Sequence, residues 1–382
     1  MSQRFSSRTN WDLGESSFAE AIRLARAAGR TLIDLTVSNP TSCGLHYDAA
    51  TILHPLSDTR ALTYDPDPRG MRSAREAVAA YYSDRGARVD PDSITLTTST
   101  SEGYGYLFRL LCDSGDEVLV PQPSYPLFDY LADLEDVRLR PYPVFYDYGW
   151  WIDFAELEGR IGPRTRAILL VHPNNPTGHA TRQPERERLE KICARHGLAL
   201  IVDEVFLDYP HTDEQLQTFA TGPHPALTFV LSGMSKIAGL PQMKVGWIAA
   251  FGKEVTLRSA LTRLEVIADT FLSMNAPAQI ALPTWLNARQ EIQKQILNII
   301  SINIRSLNVY GLELLRTDAG WSAVIRLPRL GVGAKELLSE AEVVVHPGSF
   351  YGIAESERIV VSLITPEAEF STGVERIAKH TK

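Results

Sequence analysis

Three short segments concentrate the reactive side chains of this chain, and each follows an apolar run that reads as a β-strand. HPNNPTG (residues 172–178) follows the strand candidate Ala167–Val171, DEVF (203–206) follows Leu198–Val202, and SGMSK (232–236) follows Thr228–Leu231. Open α/β sheets place their ligand sites at the carboxyl ends of strands, so an amide, a carboxylate and an amine are expected to meet there. A fourth segment, TTSTSEGYG (97–105), puts Ser99, Thr100 and Ser101 at a strand-to-helix junction. Free backbone N–H groups and hydroxyls at a helix start can seat an anion, although a Ser or Thr there also serves as an ordinary N-cap. An isolated lysine is usually a solvated surface residue. Lys236, in a Gly/Ser-rich turn directly after an apolar strand, is better placed for chemistry.

The elements that must position these groups alternate in type. From about residue 93 to 250, strand candidates (Ser93–Thr97, Glu117–Val120, the three above and Val245–Ala250) alternate with helices at Glu102–Leu111, Leu127–Leu134 and Glu187–His196. That order implies a mostly parallel sheet covered by helices. Residues 15–29 read as a helix with a capping box at Ser17 and Glu20 and a stop at Gly29. After Lys253, Leu257, Leu261, Leu264, Ala268 and Phe271 recur at helical spacing until Asn275 and Pro277. A long helix over roughly 285–312 then leads to strand-like segments at 320–328 and Arg358–Ile364. The reading is α/β: a large domain over 49–275, an N-terminal arm with part of a small domain over 1–48, and a small C-terminal α+β domain over 276–382, the small domain being formed from both chain ends.

Bulk properties narrow the classes. The formal net charge of −8 argues against nucleic-acid or anionic-membrane partners. Cys43, Cys112 and Cys193 are odd in number and widely spaced, giving neither a disulfide framework nor a CxxC metal pair. The polar start, Met1 to Trp11, contains no apolar run for a signal peptide or membrane span, and a cytoplasmic location is expected. No metal site is expected either. The nine histidines form no HExxH or HxxxH cluster, and His172 reads as structural. Gly233 stands where an SxxK motif needs Ser, and neither a GxSxG elbow nor a P-loop occurs.

The order NNPTG, then Asp203 28 residues beyond Asn175, then Lys236 a further 33 on, resembles the class I/II pyridoxal-phosphate-dependent aminotransferases, of fold type I. TYDPDPRGMRSARE (63–76) and PSYP (123–126) resemble further segments of that family, and the likeness covers nearly the whole chain. It implies a seven-stranded, mostly parallel sheet and pyridoxal 5′-phosphate as cofactor. Lys236 would bond the cofactor aldehyde as a Schiff base and later act as the base that moves the substrate Cα proton. Asp203 would pair with the pyridine nitrogen, Asn175 with the phenolic oxygen, and Tyr125 would cover the ring. Ser99, Thr100, Ser101, Ser235 and Lys244 would hold the phosphate, with Ser232 as a further candidate. Lys244 falls where the family usually has Arg. Tyr64 would reach the phosphate of a neighbouring subunit, which implies a homodimer.

Two departures bear on the reaction. Phe206 stands where most relatives carry a Tyr that donates to the phenolic oxygen, so a higher Schiff-base pKa is expected. Val360 stands where the family has the Arg that clamps the substrate carboxylate. Arg358, two residues earlier, either substitutes for it or is an exposed arginine at a strand start. Asn39, within SNPT (38–41) where relatives often show a Gly-rich loop, and HPGSFYG (346–352) are further substrate-side candidates. The expected reaction moves an amino group from an L-amino acid to a 2-oxo acid with ping-pong kinetics. The alternative is a lyase, decarboxylase or cyclase on the same scaffold. A cofactor-binding regulatory protein is a third class. The stretch of about 15 residues ahead of the first helix leaves little room for its usual DNA-binding module.

Overall fold

The computed structural model describes residues 5–272 and 274–381. Met1–Arg4, at the head of the polar start, lie outside them, as do Ser273 and Lys382. In chain order the strands are β1 (Ile33–Asp34), β2 (Ile94–Thr97), β3 (Glu117–Gln122), β4 (Arg138–Tyr146), β5 (Trp150–Ile152), β6 (Thr165–Val171) and β7 (Ala199–Asp203). They continue with β8 (Thr228–Gly233), β9 (Gly246–Phe251), β10 (Glu313–Leu314), β11 (Ser322–Arg326), β12 (Val343–Val344), β13 (His346–Pro347) and β14 (Arg358–Ser362).

The large sheet has the order β2-β9-β8-β7-β6-β3-β4-β5. Its centre, from β8 to β4, is parallel, whereas β9 runs antiparallel to both neighbours and β5 antiparallel to β4. The central strands β6, β7 and β8 are apolar almost throughout because helices cover both faces. The sheet has eight strands, one more than the resemblance implies. The addition is β5, a three-residue edge strand. Neither β4 nor β5 is apparent from apolar runs. β4 lies near the edge, carries Arg138, Arg140, Pro141 and Pro143, and is largely exposed along its first half.

A four-stranded antiparallel sheet, β10-β11-β14-β13, forms the core of the smaller unit. The N-terminal segment joins this side, since β1 pairs in parallel with β12. Phe18 of the Ser17–Ala27 helix also packs on its hydrophobic cluster. That helix is capped one residue earlier than expected: Ser16 Oγ accepts from Ala19 N at 3.1 Å, so Ser17 and Glu20 form no capping box. The helix Ala276–Tyr310 begins before the expected position, because Asn275 is its N-cap and Pro277 sits in its first turn. Its residues to Leu286 pack with the large sheet's cluster, and those from Ile292 to Leu307 pack with the small sheet's. Among the described residues no helix is long and apolar enough to cross a membrane.

Candidate active site

The carboxyl ends of β6, β7 and β8 open into a cavity of about 550 Å³. Asn175, Asp203, Ser235, Lys236 and Lys244 line it on one side, with Tyr125 at the rim. Lys236 lies in the single-turn helix Met234–Ile237 that follows β8. Three backbone contacts hold the turn. Tyr209 Oη donates to Lys236 O (2.5 Å), Gln293 Nε2 to Ile237 O (2.8 Å) and Tyr47 Oη to Gly239 O (2.8 Å). Lys236 Nζ lies 4.9 Å from the centre of the Trp321 ring and 5.7 Å from that of Phe206. Burial among these groups lowers the pKa of the amine, with the charge of Asp203 opposing.

Asp203, the last residue of β7, is 7% exposed. Tyr104 Oη donates to its Oδ2 at 2.7 Å and Val205 N to its Oδ1 at 3.0 Å. Burial pushes this carboxyl up, and the two hydrogen bonds act against the rise. No salt bridge reaches it among the described residues.

The phosphate-seat candidates stand at the start of the Thr100–Leu111 helix, two residues earlier than expected. Ser99 is the N-cap: its Oγ accepts from Glu102 N at 3.2 Å, while Glu102 Oε2 accepts from Thr98 N at 2.6 Å. The N–H groups of Thr100 and Ser101 have no acceptor among the described residues, and all three residues border the cavity. Gly246 makes this approach feasible. A Cβ there would lie 2.9 Å from the Ser99 carbonyl carbon and 3.0 Å from Thr100 N.

Other candidates are placed elsewhere. Ser232 Oγ turns away and donates to Glu204 O at 3.4 Å. Asn39 does not border the cavity. It caps the turn Pro40–Ser42, with its Oδ1 accepting from Thr41 N at 3.1 Å, and its neighbours Thr36 and Ser38 border the cavity instead. Arg358 is also absent from the lining and pairs with Glu355 at 3.0 Å, whereas Val360 borders the cavity. Tyr64 is 77% exposed and does not border the cavity of its own chain. His172 is buried, bonded between Thr181 N and Gln217 O, and burial holds its pKa down at about 4.

From HPGSFYG, His346, Phe350 and Tyr351 reach the cavity. Sequence reasoning missed Tyr104 and Trp321. Tyr104 was visible in TTSTSEGYG, one helical turn after Ser101, which places it beside the same sheet end. Trp321 carried no such signal, because only tertiary folding brings β11 against the lysine turn.

A mostly parallel sheet gathers an amine, a carboxylate and the open N–H groups of a helix start around one cavity. The chain belongs to the class I and II aminotransferase family, whose model matches residues 30–377. It is 28% identical over 287 residues to the glutamate-pyruvate aminotransferase AlaA of Escherichia coli, covering 75% of this chain and 71% of that protein. It is 27% identical over 351 residues to an alanine aminotransferase of Mycobacterium bovis, covering 89% and 77%. The structure of an alanine aminotransferase from Pyrococcus furiosus superposes with a TM-score of 0.86 at 21% identity, over 99% of each chain, which shows the shared fold. The protein is accordingly a transaminase, and the lyase alternative is disfavoured.

Proposed function

We propose that this cavity binds pyridoxal 5′-phosphate and moves an amino group between an L-amino acid and a 2-oxo acid, with Lys236 as the catalytic amine. One observation carries the reading. Lys236 and Asp203, from two different strand ends, share a single cavity with the open N–H groups of Thr100 and Ser101. The cofactor fits this set. A buried carboxylate without a salt bridge suits a protonated pyridine nitrogen. The helix start, Ser235 and Lys244 suit a phosphate, and the rim ring of Tyr125 suits a planar heterocycle. When bound, the cofactor withdraws electrons from the substrate Cα and so makes its proton removable.

The chain's own residues divide the remaining work. Lys236 attaches the cofactor and, once released by the incoming amine, takes the Cα proton and returns it. Burial lowers its pKa, which favours the unprotonated amine relative to an exposed lysine. Tyr104 and Val205 fix the carboxylate of Asp203, and Tyr209, Gln293 and Tyr47 fix the turn that carries the amine. Asn175, whose Oδ1 accepts from Ser322 Oγ at 3.2 Å, is oriented with its amide nitrogen available to the ring's phenolic oxygen. We further propose a cytoplasmic homodimer in which the exposed Tyr64 reaches the partner's phosphate seat.

Borohydride reduction of the cofactor-loaded enzyme, followed by peptide mapping, tests the reading. A label on Lys236, lost in Lys236→Ala together with transamination, is the expected result. A label on another lysine, or none, overturns it.

A further inference from the structure

The chain passes from β10 into β11 through Leu315–Trp321, and this crossing is docked on two turns of the large sheet. Asp318 N and Ala319 N both donate to Gly178 O, at 3.0 and 3.1 Å, in the turn after β6. His211 N donates to Asp318 O at 2.9 Å and Gly320 N to Tyr209 O at 2.8 Å, beyond β7. Gly178 permits the close approach. Its φ is +68°, and a Cβ there would lie 2.5 Å from Ala319 O.

The Asp318 carboxylate is the charged centre of this joint. Ala180 N donates to its Oδ2 at 3.3 Å, and Arg316 Nε donates to its Oδ1 at 3.3 Å. Arg182 Nη2 and His179 Nδ1 lie 3.8 and 3.9 Å from Oδ2. His179 is buried, and its Nε2 stands 3.1 Å from Glu185 Oε2. The imidazole is thus set between two carboxylates, one on the helix after β6 and one on the crossing. Partly withdrawn from water, such charges attract more strongly than exposed ones.

Four residues beyond Asp318, Ser322 Oγ donates to Asn175 Oδ1 at 3.2 Å. No other hydrogen bond reaches the Asn175 side chain among the described residues. An asparagine amide accepts at one end and donates at the other, so a partner on the oxygen fixes where the nitrogen points. Asp318 itself does not border the cavity, whereas Asn175 and Ser322 do.

We infer that Asp318 is a positioning residue for transamination: it pins the crossing to the turn after β6, so that Ser322 holds the oxygen of Asn175 and aims its amide nitrogen at the cofactor's phenolic oxygen. The inference rests on the transaminase reading of this cavity and adds to it a residue outside the cavity lining. A donor on the phenolic oxygen stabilises its anion and weakens its hold on the neighbouring imine proton. Without Ser322 the amide is free to turn away from that oxygen. Without Asp318 the crossing loses its charged hold on Arg182 and His179, and Ser322 drifts from Asn175.

The pH midpoint of the bound cofactor's visible absorbance tests this in the loaded enzyme. Ser322→Ala and Asp318→Ala are each expected to raise the midpoint by about 0.3 unit or more, the low end for one neutral hydrogen bond. Because both act through the same amide, the double variant is expected to exceed the larger single shift by less than about 0.3 unit. Glu313→Gln breaks the Arg326–Glu313 pair elsewhere on the small sheet and is expected to leave the midpoint in place. A smaller rise in either single variant overturns the inference. So does an additive double variant, or a shift of about 0.3 unit or more in Glu313→Gln. Where Asp318→Ala lacks a native far-UV spectrum, Asp318→Asn takes its place under the same thresholds. If neither folds, Asp318 is a folding residue and the inference falls. Borohydride labelling separates the two levels: no label on Lys236 in the parent enzyme sinks the transaminase reading. A label there with the thresholds missed sinks only the role of Asp318.

Discussion

Replacing Glu204 with glutamine is expected to stabilise the protein at pH 8 far more than at pH 5. Glu204 follows Asp203 directly and is fully buried beneath the sheet end. Its Oε2 accepts from Thr218 Oγ1 at 2.7 Å and its Oε1 from Phe219 N at 2.6 Å. Burial outweighs these two bonds and raises the carboxyl from its ordinary 4.5 to about 7. Between those two values the folded protein binds more protons here than the unfolded chain. Stability is therefore full below the unfolded pKa, falls as pH rises toward the folded pKa, and levels off above it. Applied to these values, linkage gives a difference of about 2.5 kcal/mol between pH 5 and pH 8. Glutamine removes the titration yet keeps both contacts, because its amide oxygen can accept from Phe219 N while its NH₂ donates to the Thr218 hydroxyl. Urea denaturation of the two proteins at both pH values, under identical cofactor loading, reads the change directly. If the stability gap between variant and parent is the same at pH 5 and pH 8, the carboxyl does not titrate in this window and the reasoning fails.

Three further changes probe the site. Tyr104→Phe deletes the hydroxyl donor to Asp203, so the carboxyl's pKa is expected to rise further; the acid limb of the kcat/KM profile moves up in pH, and an unmoved limb would contradict the role given to Asp203. Gly246→Ala drives a Cβ into the Ser99–Thr100 backbone, and equilibrium dialysis is expected to show cofactor affinity weakened at least tenfold with a native far-UV spectrum retained. Phe206→Tyr introduces a donor beside the lysine turn, and the pH midpoint of the bound cofactor's visible absorbance is expected to fall; an unchanged midpoint would mean that the new hydroxyl does not reach the phenolic oxygen.

What the sequence disclosed follows a physical division. The apolar strands ending at Val171, Asp203 and Gly233 were legible because full burial on two faces removes polar residues from them. The segments after them were legible because the sheet end gathers whatever follows each strand. The edge was not: β4 carries Arg and Pro where solvent tolerates them, so no apolar run marks it. Nor was the substrate side. Asn39 reads as a substrate-side candidate, and only the folded loop, in which its oxygen accepts from Thr41 N, shows it to be a cap.

The helix Ala276–Tyr310 runs through both hydrophobic clusters and touches the lysine turn through Gln293. At about 1.5 Å per residue it is a rod of roughly 50 Å, held at one end by the sheet that carries the amine and at the other by the sheet that carries the opposing wall. A few degrees of tilt in such a lever would translate into ångström-scale changes in the gap between Lys236 and Trp321. The same rod thus couples the spacing of the two cavity walls to the packing of a single helix.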